Sequence, residues 1–102
     1  MKPDQQAEII QRLRCATGHL NAVIEMAEKD QPCEQVLHQL NAVRGALRAA
    51  GIRLILCQVQ NSRSVILDSP SPAQRIAELK QLQALYTIFI KYSHYNNEVI
   101  HD

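Results

Sequence analysis

Apolar residues along this chain recur at alternating steps of three and four, the spacing that gathers them on one side of an α-helix. Ile10, Leu13, Thr17, Leu20, Ile24 and Ala27 form the first such line. They predict a helix from about Asp4, as N-cap, to about Lys29. Asp30-Gln31-Pro32 interrupts the pattern, and Pro32 suits the opening turn of a second helix, where its missing N–H costs nothing. Val36, Leu40, Val43, Leu47, Ala50, Leu54, Cys57, Asn61 and Ser64 then keep the rhythm without a slip, predicting one long helix from about Pro32 to about Val65. Heptads sustained over that length usually mean a partner helix alongside. Gly45 and Gly51 lie inside it, each costing about 1 kcal/mol relative to Ala, a cost that close helix approach would explain. The line turns polar at Asn61 and Ser64, so the last turns are expected to be less buried.

Ser69-Pro70-Ser71-Pro72 is a second break. Ser71 with Gln74 three residues on makes a capping box, and Pro72 takes the first helical position. A third helix follows to about Tyr92, with Ile76, Leu79, Leu82, Leu85, Phe89 and Tyr92 along one side. Residues 93–102 form a polar, Asn-rich tail. The expected fold is all-α: a single helical domain spanning residues 1–102, with helices at about 4–29, 32–65 and 72–92.

Composition narrows the class. A chain of 102 residues is one domain at most, and three helices of this size hide little surface alone. With 46% apolar residues, no Trp and one Phe, the helices are expected to finish their core against other subunits. A formal net charge of +1 advertises no nucleic-acid partner. Three Cys without a signal peptide argue against a disulfide framework and point to a reducing cytoplasm. No apolar run approaches the roughly 18 residues of a membrane span, so no membrane partner is expected. No Ser/His/Asp arrangement, phosphate-binding Gly loop or paired carboxylates suggest catalysis, and the chain does not read as an enzyme.

Individual residues carry more. Cys33 stands just inside a helix start, where unpaired N–H groups and the helix dipole favour an anion; it also begins the apolar face shared by Val36 and Leu40. Cys57 lies on the heptad line and reads first as a core residue. Cys15 and His19, four apart, share a helix face, but two donors do not complete a metal site. His38, His94 and His101 have no partner at ligand spacing. Tyr86, Tyr92 and Tyr95 suit packing better than a ligand pocket. Arg12 and Arg14 lie on the first helix and Arg44, Arg48 and Arg53 on the second, while acids gather mainly at Glu25, Glu28, Asp30 and Glu34 near the turn. Such segregation fits a phosphate-tracking face as well as it fits a solvated one. No helix-turn-helix or zinc finger appears, so DNA would be met by a flat basic surface that reads shape.

Arg12-Leu13-Arg14-Cys15-Ala16-Thr17-Gly18-His19-Leu20 and Leu37-His38-Gln39-Leu40-Asn41-Ala42-Val43-Arg44 resemble the first- and second-helix signatures of the CsoR/RcnR/FrmR family. Its members are small helical repressors that sense copper, nickel or cobalt, formaldehyde, or reactive sulfur. The likeness covers residues 8 to 92. It implies three-helix protomers that form antiparallel four-helix-bundle dimers, assembled as a dimer of dimers. It also implies operator DNA as partner, released when an effector binds. In the copper-sensing branch the Cys matching Cys33 is followed 25 positions on by His and 29 positions on by Cys, supplied by the neighbouring subunit. Here those positions hold Gln58 and Ser62. Glu78 matches a Glu behind the metal ligands, whereas the Tyr that often precedes the sensing Cys is Pro32.

Soft ions such as copper(I) want thiolate and imidazole, so a standard copper(I) site is not expected. Cys33 is the only retained metal-ligand candidate, and the sequence names no cofactor. The first reading is therefore an effector-responsive repressor, a homodimer paired into a homotetramer. It would contact duplex DNA through Arg12, Arg14, Arg44 and Arg48, and sense through Cys33 with Cys57, Gln58, Ser62 and Glu78 around the pocket. The effector is left open among a small molecule, a thiol-reactive species and a metal, as is a bridge between Cys33 and Cys57 of neighbouring chains. The second reading is a ligand-binding or adaptor bundle that keeps the fold without DNA. Near-neutral charge motivates it, as does Cys15 at a position often basic in the family.

Overall fold

A computed structural model of the chain describes the backbone of residues 1–101 and the side chains of residues 1–91. Three helices follow one another: α1 (Pro3–Glu28), α2 (Cys33–Asp68) and α3 (Pro72–His101). No strand occurs among the described residues. The chain divides into two compact units, Met1–Leu54 and Ile55–Asp102. The first contains α1 and the leading part of α2; the second contains the rest of α2 and α3.

Helix ends differ from expectation for local reasons. Lys2, not Asp4, is the N-cap of α1, because Pro3 is already preorganised for the first helical position. Gln5 Oε1 accepts from the Lys2 N–H at 3.1 Å, and Asp4 sits in the first turn, where a negative charge complements the dipole. At the other end the Gln31 N–H donates to the Met26 carbonyl and the Asp30 N–H to the Ala27 carbonyl. That pair of bonds is the Schellman arrangement, which needs a left-handed residue just past the cap. Asp30 supplies it at φ 55.

The turn's last residue, Pro32, then caps α2, its carbonyl accepting from Gln35 and Val36. α2 runs three residues beyond the expected end, to Asp68. At α3, Ser71 Oγ accepts from the Gln74 N–H at 3.3 Å. The return half of the expected capping box is rerouted: Gln74 Oε1 accepts from the Ser69 hydroxyl, and Ser69 Oγ in turn accepts from the Ser71 N–H. α3 continues past 92 to His101, because no Pro or Gly between 73 and 101 stops it. The expected tail thus has helical backbone to His101; Asp102 and the side chains from Tyr92 onward, including His94, Tyr95 and His101, lie outside the described residues.

The buried seam is not the apolar line expected from the sequence. On α1 the inward positions are Gln5, Ile9, Arg12, Ala16, His19, Val23 and Met26, again at heptad spacing but one register over. Ile9, Ala16 and Val23 are buried, while Ile10, Leu13, Leu20 and Ile24 are 39–47% exposed. On α2 the expected line splits. Val43, Ala50 and Cys57 are buried, whereas Leu40, Leu47 and Leu54 stay 37–41% exposed. Chain-internal packing therefore uses mostly small side chains and leaves the large aliphatic ones outside. Gly45 and Gly51 admit no close neighbour within the chain: nothing lies within 4 Å of where a Cβ would stand.

Asp30 carries a Cβ in a conformation that favours glycine. Asp30→Gly is expected to stabilise the chain by about 0.5–1 kcal/mol and Asp30→Val to destabilise it, read from urea unfolding at one fixed protein concentration.

Candidate sensor site and basic surface

The second unit contains a fully buried polar group. Ser62 is 0% exposed, and a hydroxyl in that position must find partners or cost stability. It has two. Ser62 Oγ donates to Glu78 Oε1 at 2.5 Å and accepts from Gln58 Nε2 at 2.8 Å. Gln58 Nε2 also lies 3.4 Å from the same Glu78 oxygen. Gln58 and Ser62 are one turn apart on α2, so both project towards α3, where Glu78 meets them. An amide, a hydroxyl and a carboxylate thus close on one another and tie α2 to α3.

This changes one expectation. Gln58, Ser62 and Glu78, expected around a pocket, lie within hydrogen-bond distance of one another, and the Ser62 hydroxyl donates to Glu78 and accepts from Gln58. They form a bonded node in which Ser62 is fully buried and Gln58 and Glu78 are half-buried. Cys57 is buried beside it, with Asn61 Nδ2 3.5 Å from its sulfur. On the expected apolar line Asn61 is half-buried and Ser64 exposed, and the buried polar residue, Ser62, lies off that line. The Ser62 hydroxyl is buried because its partner, Glu78, arrives from another helix.

Cys33 belongs to the first unit and is exposed. Its chain neighbours Pro32 and Glu34 line an open hollow of about 700 Å³, together with Met26, Leu37, His38 and Gln39. All three cysteines are thiols, and none is in a disulfide. Cys15 and His19 do not act as a pair: the His19 ring lies 2.9 Å from Gln39 Oε1 across the α1–α2 contact, and Cys15 is exposed. Tyr86 is also exposed. Among the described residues, no group of three or more His, Cys, Asp or Glu is arranged to hold a metal ion.

The arginines divide. Arg12 Nε donates to Glu8 Oε1 at 3.3 Å, and Arg53 Nε lies 3.5 Å from that same oxygen. Arg14, Arg44 and Arg48 have no ion-pair partner among the described residues. Sequence reasoning weighed the acids near the turn and missed Glu8. Its position four residues before Arg12 was the available signal, but the approach of Arg53 from α2 was not legible.

Among the described residues the chain thus combines three helices, a buried polar node, free thiols and arginines on α1 and α2. The chain belongs to the metal-sensitive transcriptional repressor family, which it matches over residues 5–86. This is the CsoR/RcnR/FrmR group that its helix signatures resemble. A stretch of 47 residues is 40% identical to the copper-sensing transcriptional repressor CsoR of Mycobacterium ulcerans (strain Agy99), covering 46% of this chain and 40% of that protein. The fold is similar to that of a single-substitution variant of the formaldehyde-responsive regulator FrmR from Salmonella enterica serovar Typhimurium. That comparison has a TM-score of 0.73 and 23% identity, over 86% of this chain and 97% of the other. No helix of the described residues is long and apolar enough to cross a membrane.

Ser62→Ala is expected to cost about 1–3 kcal/mol in urea unfolding, because it removes the shorter bond of both the Gln58 amide and the Glu78 carboxylate. Ser62→Ala combined with Glu78→Leu should cost less than the sum of the two single changes, the coupling that distinguishes a node from two separate contacts.

Proposed function

We propose that this protein is an effector-responsive DNA-binding repressor that works as a homotetramer, a dimer of dimers, and whose effector is not copper(I) held in the standard way. The observation that carries the last point is the Gln58–Ser62–Glu78 node. Where the copper-sensing pattern places imidazole and thiolate, this chain places an amide and a hydroxyl already bonded to each other and to Glu78. Neither is a good donor for a soft ion.

Family membership supports duplex DNA as the partner, as do the guanidiniums of Arg14, Arg44 and Arg48, which form no ion pair among the described residues. They favour the repressor over an adaptor that has abandoned DNA. Exposed Leu40, Leu47 and Leu54 support assembly with further copies of the chain, since a row of large aliphatics at heptad spacing is what a partner helix covers. Cys33, exposed beside the hollow at the α1–α2 turn, is the sensing residue. It acts by thiol chemistry or as the anchor of an altered site completed by a neighbouring subunit, with the Cys57–Gln58–Ser62 turn and Glu78 passing its state to α3.

Fluorescence anisotropy of the reduced, metal-free protein on duplex DNA from upstream of its own gene tests the reading. Binding should weaken steeply with salt, and replacing Arg44 and Arg48 with Ala should flatten that dependence by about 0.9 for each phosphate no longer neutralised. Indifference to every duplex at low salt would leave the adaptor reading in its place. In a competition titration with a copper(I) chelator, the native chain should compete poorly. The Gln58→His, Ser62→Cys double variant should gain affinity by at least about a hundredfold, on the order expected when soft ligands complete a site. The same variant carrying Cys33→Ala should lose that gain.

A further inference from the structure

Two guanidinium groups from different helices converge on one carboxylate oxygen at the surface of the first unit. Arg12 on α1 and Arg53 on α2 approach Glu8 Oε1 at 3.3 and 3.5 Å. One negative charge facing two positive ones leaves the cluster cationic. The spacing that lets both arginines reach a single oxygen is also the spacing that would let both reach a phosphate. We propose that Arg12 and Arg53 form a two-arginine phosphate clamp for DNA and that Glu8 is its built-in competing anion; this rests on the DNA-binding reading above.

The geometry favours competition over support. A carboxylate that orients an arginine for recognition does so by short, paired bonds of about 2.7–2.9 Å. Here each contact is single-point, through Nε, and markedly longer. All three side chains are substantially exposed, so solvent screens the pairs and they hold the fold weakly. Glu8 is therefore a poor buttress, while its charge still opposes an approaching phosphate and cancels part of the counterion release that drives binding. Displacing it frees two guanidiniums at once. The clamp adds Arg53 to the surface assigned to Arg12, Arg14, Arg44 and Arg48, and gives the protein a tunable ceiling on its DNA affinity.

The experiment is a salt series of anisotropy titrations on one duplex, using full-length wild type, Glu8→Gln, Glu28→Gln, and Glu8→Gln with Arg53→Gln. Circular dichroism would confirm that each variant keeps its helices. Glu28→Gln makes the same charge change at the far end of α1, at a residue that is itself in no ion pair among the described residues. Glu8→Gln should bind several-fold more tightly at moderate salt and steepen the salt dependence by about 0.9 for each further phosphate neutralised. Glu28→Gln should match wild type, and adding Arg53→Gln should return the slope towards the wild-type value.

Weaker binding by Glu8→Gln, or an unchanged slope in a protein that does bind DNA, would overturn the clamp and leave the repressor reading standing. An equal gain from Glu28→Gln would reduce the effect to net charge and also overturn it. If no variant bound any duplex, both the repressor reading and the clamp would fall.

Discussion

The second helix carries two apolar lines, and only one of them is covered by the chain's own helices. Val43, Ala50 and Cys57 go inward, while Leu40, Leu47 and Leu54, set half a heptad away, do not. Much else follows from that division. Small inward residues bring helices close but remove little apolar area from water, and hydrophobic stabilisation scales with that area. A chain that keeps most of its large aliphatic side chains on the outside buries little apolar area within the protomer. The same division gives the 36-residue helix one face that packs within the chain and another that does not.

Beside this apolar packing, polar bonds link the helices within each unit. In the second unit the buried Ser62 hydroxyl is matched on one side by Gln58 and on the other by Glu78, so α3 has one preferred register against α2. In the first unit His19 and Gln39 play a comparable part across α1 and α2. Such contacts are modest in net energy but costly to leave half-made. That asymmetry is what lets them select one arrangement. On the resemblance to the copper-sensing branch, this node stands at two of the positions expected to hold ligands.

Charge on the surface of the first unit is shared in a similar way. Glu8 serves Arg12 and Arg53 together, while Arg14, Arg44 and Arg48 remain without ion pairs among the described residues. A net charge near zero therefore says little about partners, because what a phosphate backbone meets is the local arrangement of guanidiniums.

The sequence by itself determined three helices and their breaks. Pro3, Pro32 and Pro72 mark starts, Asp30 and the Ser69–Pro72 stretch mark turns, and heptad spacing marks everything between; all of these act through bonds and clashes within a few residues. It also carried the family signatures, with Gln58 and Ser62 at the two positions where the copper-sensing resemblance leads one to expect His and Cys. Tertiary structure alone decided which apolar line was buried, since Ile9 and Ile10 obey the same periodicity and differ only in what lies opposite. It alone decided that Gln58, Ser62 and Glu78 bond to one another, and that Glu8 receives Arg53. Each of those facts depends on a second helix arriving at a particular rotation, and spacing along one helix cannot specify the rotation of another.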